Sequence, residues 1–493
     1  MRNQVQLIAY ADRLGGSLPG LLDVLHGPLA GLFGGIHVLP FYRPYDGADA
    51  GFDPADHTAV DPRLGTWADL RRLGASLDTV ADLIVNHVSV DAPQFRDFVD
   101  RGDASPWAGM FLTFGRVFQD GATEQDLLRI YRPRPGLPFT PMIAQRRSRR
   151  LMWTTFTSRQ IDLDVGQPVT RGYLLGVLER LAEHGVATVR LDAVGYAAKA
   201  AGTSCFMTAD TLAFVAELSQ QARQVGVEVL AELHSHYRHQ IDMSRHVDWV
   251  YDFALPPLIL HALFTGDGRP LRQWLHIRPH NMVTVLDTHD GIGVIDVSVD
   301  QTNRALAGLL EADEIHSLIE RIHDNSGGTS RSATGQTAAD ADLYQVNCTF
   351  YDALGRDDRR YLLARLLQFF APGIPQVYYV GLLAGSNDLD LLARTGVGRE
   401  INRHRYTAAD LAKALDRPVV RALARLIRFR NTHPAFLGSF SCLDAADGAI
   451  TLRWRNGPQE ARVTAELSSG SYALGYTTDG SQRSVTDVAD LPF

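Results

Sequence analysis

The stretch Val186-Ala-Thr-Val-Arg-Leu-Asp192-Ala-Val-Gly195 is a β-branched, apolar run that ends in a carboxylate and then a glycine. Such a run is typical of a buried strand in a parallel sheet. Asp192 would then lie at the carboxyl end of that strand, which is the end of an α/β sheet where functional groups are placed. The stretch therefore predicts a parallel α/β fold with Asp192 at its functional edge.

Two later apolar runs end in the same way. Residues 227–232 close with Glu232, and residues 282–287 close with Asp287, which His289 and Asp290 follow. A single carboxylate at a strand end is usually a cap or a loop anchor. Three of them at one rim would repel one another and stabilise a fold poorly, so their recurrence indicates a functional site.

Strand-like and helix-like segments alternate along most of the chain. Further strands are predicted over residues 4–10, 35–40, 79–85, 248–252 and 376–380. Helices are predicted between them, one opened by a capping box from Thr66 to Asp69. Eight such units predict a (β/α)8 TIM barrel of the α/β class.

Two irregular segments and a change of pattern near the C-terminus define the expected domains. We expect the barrel over residues 1–86, 167–292 and 355–434. Loop domains rich in turn-forming residues are expected after strands 3 and 7, over residues 87–166 and 293–354. Short alternating runs predict a small antiparallel β domain over residues 435–493.

The composition excludes several classes of partner. A net charge of -8 over 493 residues argues against nucleic acid and anionic membrane as main partners. The three cysteines are too few for a disulfide framework or a zinc site, which fits a reducing compartment. The N-terminal residues lack the features of a signal peptide, and prolines interrupt the uncharged run 366–387. We therefore expect a cytoplasmic protein without a membrane span.

Four short motifs occur in a characteristic order: Asp82-Leu-Ile-Val-Asn-His87, Arg190-Leu-Asp192, Glu232 and His289-Asp290. On these motifs the chain resembles the α-amylase superfamily of glycoside hydrolases and transglycosidases. Four longer stretches, residues 48–53, 131–139, 195–206 and 342–347, are similar to the sucrose phosphorylase family within it. This similarity runs from the first strand to about residue 435.

The resemblance implies a retaining double displacement that uses two nearby carboxyl groups. Asp192 would be the nucleophile that forms a β-glucosyl ester, and Glu232 the general acid and base. Asp290 would be a third catalytic carboxylate that grips glucose hydroxyls. Arg190 stands two residues before Asp192 and so on the same strand face, where it would either hold Asp192 ionised or form an ion pair inside the barrel. The implied reaction is the reversible phosphorolysis of sucrose to α-D-glucose 1-phosphate and D-fructose.

The resemblance also implies a set of binding residues. Phosphate would be bound by Arg134 and Tyr344, and the loops that carry Arg134 and Gln345 would exchange positions between the half-reactions. Ala341 and His236 depart from the family pattern, which points to a roomier or more polar acceptor site. The substrate-binding residues implied are Asp49, Phe52, His87, Phe156, Gln160, Arg190, His234, His289, Asp342, Gln345 and Arg399.

No cofactor and no metal are expected. Asn86 lies in a motif that binds calcium in many amylases, but the sequence does not supply the other oxygen ligands that a calcium site needs. The expected partners are small molecules: sucrose, inorganic phosphate, glucose 1-phosphate and fructose. The resemblance also suggests a homodimer.

Three other functions remain open from the sequence. One is a related phosphorylase acting on sucrose 6'-phosphate or glucosylglycerate, which would need extra anion-binding groups such as Arg132 or the basic cluster at 146–150. A second is a sucrose hydrolase or transglucosidase that does not depend on phosphate. The third is a non-catalytic sugar-binding barrel, which would have no reason to keep three clustered carboxylates.

Overall fold

Eight parallel strands close into a barrel in the computed structural model, which describes residues 1–47, 49–132, 136–144, 148–334 and 345–493. Each strand bonds to the next one along the chain, and the first strand, Gln6–Ala9, closes the ring by pairing with both Gly35–Val38 and Ile374–Tyr378. The predicted (β/α)8 barrel is therefore confirmed. The strands are β1 Gln6–Ala9, β2 Gly35–Val38, β3 Asp78–Ile84, β4 Val186–Asp192, β5 Glu228–Ala231, β6 Trp249–Asp252, β7 Met282–Thr284 and β8 Ile374–Tyr378.

Several polar side chains inside the barrel are hydrogen-bonded to one another. The Tyr251 hydroxyl donates to Gln376 Oε1 at 2.9 Å, and Gln376 Nε2 donates to Gln6 Oε1 at 2.9 Å. His37 Nε2 lies 3.0 Å from Asp82 Oδ2. Buried polar groups require such partners. The hydrogen-bonded side chains continue along the barrel toward the carboxylates at its rim.

Helices cover the outside of the barrel. The capping box predicted at Thr66 is present, and Asp69 Oδ2 accepts from Thr66 N at 2.8 Å. The main outer helices are Leu18–His26, Trp67–Gly74, Pro168–Glu183, Ala209–Gln224, Tyr237–Met243, Leu255–Thr265, Arg269–Ile277, Asp358–Phe370, Tyr379–Leu382, Leu389–Thr395, Ala408–Leu415 and Pro418–Thr432. None of the helices in the described part of the chain is both long and apolar enough to cross a membrane.

Several strands are shorter or shifted relative to the sequence prediction. β5 ends at Ala231 and β7 at Thr284, so Glu232 and Asp287 lie just beyond their strands rather than at the last residue. β8 begins before Pro375 and ends at Tyr378, where a helix starts at once.

Two excursions lie after β3 and β7. The first contains the helix Pro93–Arg101 and two ribbons, His87–Ser89 paired with Gln160–Asp162 and Phe139–Ala144 paired with Ser148–Trp153. The second contains the helices Ala312–Asn325 and Thr329–Thr334 and a short ribbon of Ile292–Gly293 with Gln345–Val346.

The C-terminal unit is an antiparallel sheet of five strands, as the alternating pattern predicts. Trp454 joins it to the barrel, since its indole donates to the carbonyl of Phe370 at 2.8 Å. The strands are β9 Ser439–Leu443, β10 Ala449–Asn456, β11 Gln459–Glu466, β12 Ser471–Thr478 and β13 Ser481–Val485.

Candidate active site

A cavity opens at the carboxyl end of the barrel strands, which is the end where the functional sites of such barrels lie. Of the residues implicated by sequence, those that line it are Asp49, Phe52, His87, Phe156, Asp192, Glu232, His234, His289, Asp290, Gln345 and Arg399.

Asp192 ends β4 and lies beside a buried arginine on the same strand. Arg190 Nη1 donates to Asp192 Oδ1 at 3.0 Å and to Asp82 Oδ1 at 2.5 Å. Burial raises the pKa of the Asp192 carboxyl well above its usual range; Arg190 opposes this rise and the nearby Glu232 adds to it. Arg190 is thus both an interior ion pair and a contact of the candidate nucleophile.

Glu232 lies one residue past β5 and is held by backbone and side chain. Its Oε2 accepts from the amide of Ala193 at 3.0 Å, and its Oε1 lies 3.5 Å from Arg190 Nη2. Ala193 adopts a left-handed backbone with φ of 51°, which is unfavourable for a residue with a Cβ and is typical of functional sites. One guanidinium therefore contacts both Asp192 and Glu232.

Asp290 is surrounded by arginine and histidine side chains. Arg399 Nη1 lies 2.8 Å from Asp290 Oδ1, and His289 Nε2 lies 3.6 Å from Oδ2. Burial alone would raise the pKa of Asp290, but Arg399, His289, His234 and Arg403 outweigh it and hold the pKa well below its usual range. Asp290 is therefore an anion throughout the neutral range.

The opposite wall of the cavity combines aromatic rings with hydrogen-bonding groups. Phe52 stacks on His289 with ring centroids 4.6 Å apart, and Arg190 lies over the Phe52 ring at 5.3 Å. His87 Nε2 lies 3.0 Å from the Phe52 carbonyl and 3.1 Å from Gln160 Nε2. Gln160 thus adjoins the cavity through His87 rather than lining it.

An ion pair forms part of the cavity lining. Arg399 Nη1 lies 3.8 Å from Asp49 Oδ1 in addition to its contact with Asp290. Gln345 lines the same cavity, and its Oε1 accepts from the Gly291 amide at 3.3 Å. Three residues implicated by sequence, Arg134, Asp342 and Tyr344, lie outside the described residues.

Glu232, His234 and Asp290 bring potential metal ligands within 4.8 Å of one another. The two carboxylates are already in contact with Arg190 and Arg399 at 3.5 and 2.8 Å. A divalent cation there would be repelled by both guanidinium groups, so the trio does not fit a metal centre.

The calcium motif residue Asn86 contacts a lysine. Lys199 Nζ donates to Asn86 Oδ1 at 2.6 Å and lies 2.5 Å from Asp162 Oδ2, with all three side chains buried. The positive charge beside Asn86 is therefore supplied by the ammonium group of Lys199. This Lys199 clip ties the ribbon of the first excursion to the loop after β4.

Sequence reasoning missed several groups at the site. Tyr196 and Phe206 line the cavity and their rings contact each other at 4.7 Å. Both lie within the stretch 195–206 that carried the family resemblance, which was the available signal. Asp287, in contrast, does not line the cavity, because Arg365 Nη2 binds both of its oxygens at 2.9 and 2.7 Å.

Comparison with known proteins assigns the family. Residues 16–251 match the family model described as alpha amylase, catalytic domain. A sucrose phosphorylase from Agrobacterium vitis is 58% identical over 475 residues, which cover 96% of this chain and 97% of that protein. The chain belongs to the sucrose phosphorylase family of the α-amylase superfamily.

Other members of the sucrose phosphorylase family agree over nearly the full length. A sucrose phosphorylase from Bifidobacterium adolescentis is 50% identical over 95% of this chain and 93% of that protein. The crystal structure of sucrose 6F-phosphate phosphorylase from Thermoanaerobacter thermosaccharolyticum superposes with a TM-score of 0.91 at 36% identity, covering 99% of this chain and 98% of that one. These relatives are named for different sugar substrates, sucrose and sucrose 6F-phosphate. The sugar preference within the family therefore depends on the particular residues of each site.

Proposed function

We propose that the protein is a sucrose phosphorylase, which reversibly converts sucrose and inorganic phosphate into α-D-glucose 1-phosphate and D-fructose. The observation that carries the proposal is the buried Arg190 guanidinium, which contacts both Asp192 and Glu232, two carboxylates of the cavity lining, at 3.0 and 3.5 Å. Relatives named sucrose phosphorylase at 58% and 50% identity support the choice of sucrose.

In the first half-reaction, a carboxylate oxygen of Asp192 attacks the anomeric carbon of the glucosyl unit. The bond from that carbon to the fructosyl oxygen breaks, and the proton of the Glu232 carboxyl passes to this oxygen. The products of the step are a β-glucosyl ester on Asp192, an ionised Glu232 and free fructose. Asp290 stabilises the positive charge that develops on the sugar ring.

In the second half-reaction, a phosphate oxygen attacks the anomeric carbon and the ester bond to Asp192 breaks. Glu232 takes the proton from the phosphate hydroxyl, which restores the starting state. Each step inverts the anomeric centre, so the two together retain the α configuration.

The cycle needs one proton on the pair formed by Asp192 and Glu232. Burial and the closeness of two carboxyls oppose a double negative charge, which is consistent with the raised pKa of Asp192. Arg190 donates directly to Asp192 at 3.0 Å and is farther from Glu232 at 3.5 Å. The proposed mechanism places this proton on Glu232 when substrate is bound, because Asp192 must be ionised to attack the anomeric carbon.

Binding of substrate would follow the residues around the cavity. Asp49, Arg399, His87 and Asp290 would hold glucose hydroxyls, with Phe52 as an apolar wall. Phe156 and Gln345 would contact the fructosyl side, and Gln160 would act through His87. Arg134 and Tyr344, which lie outside the described residues, and His234 would bind phosphate.

The proposal is tested by incubating the purified protein with sucrose, with and without inorganic phosphate, and measuring glucose 1-phosphate and glucose. We expect glucose 1-phosphate only with phosphate, and Asp192→Ala to lower turnover by at least about 10⁴-fold. Asp416→Ala, at an exposed carboxylate, is the control. Turnover that survives Asp192→Ala, or products indifferent to phosphate, would contradict the proposal.

We also propose that the protein is cytoplasmic and forms a homodimer. One face of the ribbon Phe139–Ala144 with Ser148–Trp153 presents exposed apolar side chains, because Ile143 and Leu151 are 59% and 37% exposed. The pairing of Pro141 with Leu151 places Ile143 and Leu151 on the same face. A second copy that covers this face would remove that apolar surface from water.

A further inference from the structure

His234 lies between the cavity and a buried carboxylate. It follows β5, lines the cavity, and its Nδ1 lies 3.3 Å from Asp296 Oδ2. Asp296 is fully buried, and its other oxygen accepts from the Ser235 amide at 3.0 Å and from Gln240 Nε2 at 2.9 Å. Asp296 therefore has one oxygen fixed by its surroundings and the other directed at the His234 ring.

Gly293 makes room for this contact. A Cβ at Gly293 would lie 2.3 Å from Asp296 Oδ2 and 3.2 Å from His234 Nδ1. Any side chain at position 293 would force the carboxylate and the ring apart. The pair thus depends on a bare backbone in the short ribbon Ile292–Gly293.

The charged groups around His234 favour a doubly protonated ring. Because Nδ1 donates to Asp296, the neutral form would direct the lone pair of Nε2 toward Glu232 Oε1 at 3.7 Å and Asp290 Oδ2 at 4.0 Å. Both are carboxylate oxygens, so a proton on Nε2 is favoured. Phe253 stacks on the ring at 3.7 Å. Burial alone would lower the pKa of His234, but Asp296, Glu232 and Asp290 outweigh it and raise the pKa.

The positive charge of His234 matters most when the phosphate anion enters the cavity. In the glucosyl-enzyme, Asp192 is esterified and neutral, while Glu232 and Asp290 remain anionic at the point where phosphate must approach. Arg190 and Arg399 are already in contact with these carboxylates at 3.5 and 2.8 Å. Water is uncharged and is not repelled by these carboxylates. The positive charge on His234 therefore favours the approach of phosphate and makes little difference to water.

We propose that Asp296 is a positioning residue that keeps His234 an imidazolium facing the cavity, and that this charge lets the site accept phosphate in competition with water. The inference rests on the proposed phosphorolysis and concerns only its second half-reaction. Asp296 does not touch substrate and acts through His234.

The test compares the D296N variant with the wild type at saturating sucrose over a range of phosphate concentrations. We expect the KM for phosphate to rise about tenfold, as for the loss of one charge-assisted hydrogen-bond partner. The rate of glucose release without phosphate should stay within about twofold, since water needs no cation. In D296N the rise of the phosphate KM with increasing pH should begin at a lower pH, because the ring loses its proton earlier.

Two matched variants separate this role from a structural one. D300N removes another buried carboxylate in the same loop, 3.2 Å from His239 rather than from His234, and should leave the phosphate KM unchanged. In an H234N background, D296N should have no further effect on the phosphate KM. An equal effect of D300N, or a full D296N effect without His234, would overturn the inference.

Folding of the variants does not limit the test. If thermal unfolding shows that D296N is not folded, G293A probes the same contact by displacing Asp296 from His234, and an unchanged phosphate KM in G293A would overturn the inference. A wild type that makes no glucose 1-phosphate would overturn the proposed function itself. A wild type that does, with a D296N variant of unchanged phosphate KM, would overturn the role of Asp296 alone.

Discussion

At the scale of single residues, Arg190 joins three carboxylates. Its guanidinium contacts Asp82 at 2.5 Å, Asp192 at 3.0 Å and Glu232 at 3.5 Å, and its side chain is 3% exposed. Burial alone would raise the pKa of Asp82, but His37 and Arg190 outweigh it and lower the pKa. In the wild type, Asp82 therefore adds stability that is present above its unfolded pKa of about 4 and is lost as pH falls.

We predict that R190Q lowers the free energy of unfolding at pH 7 by about 3 kcal/mol, because it leaves buried carboxylates without their cation. The pKa values of these carboxyls then rise, so the folded state takes up protons that the unfolded state does not. Stability should consequently recover in part between pH 7 and pH 5, which urea unfolding at the two pH values measures. The control is R63Q, since Arg63 also contacts two carboxylates but is 52% exposed; an equal loss in R63Q would contradict the prediction.

At the scale of elements, the Lys199 clip connects three segments. The ammonium contacts Asn86 after β3 and Asp162 in the strand Gln160–Asp162. His87 pairs directly with Asp162 in that ribbon, and Gln160 stands two residues before it. The clip thus positions two side chains of the first excursion, His87 and Gln160, near the candidate sugar site.

We predict that K199M loosens this ribbon and raises the KM for sucrose by about tenfold or more, because Asp162 is left buried without its cation and His87 loses its support. Limited proteolysis should cut between residues 87 and 162 sooner than in the wild type. Replacing the chain's other lysine, the exposed Lys413, by methionine is the matched control. Unchanged proteolysis and unchanged KM in K199M would refute the positioning role of the clip.

At the scale of the whole molecule, the exposed face of the first excursion sets the expected assembly. We predict that an I143D/L151D double variant shifts the protein from dimer to monomer in sedimentation experiments, because it places charges on the apolar face proposed as the contact between copies. Leu437 is 72% exposed on another part of the surface, so L437D should leave the assembly unchanged. A monomeric wild type, or a dimeric double variant, would show that this face is not the interface.

The barrel and its rim carboxylates could be predicted from local patterns. Apolar runs of strand length, each followed by a helical repeat, imply parallel strands whose carboxyl ends share one rim. Asp192 and Glu232 were identified in this way, and both line the cavity. The family motifs extended the prediction to Asp290 and to the residues of the sugar pocket. The strand ends at β5, β7 and β8 were less accurate, because tertiary contacts decide where a chain leaves a sheet.

The alternation of strands and helices, the barrel, and Asp192 and Glu232 at its rim follow from local patterns, because they depend on periodicity within a few residues. Which charged groups meet is settled by long-range packing. Asp287 and Asp290 stand in one run, yet Arg365 binds the first at 2.7 Å and Arg399 the second at 2.8 Å. Likewise Lys199 reaches Asn86, and Asp296 reaches His234. These partners are dozens to more than a hundred residues apart, and closure of the barrel brings them within hydrogen-bonding distance.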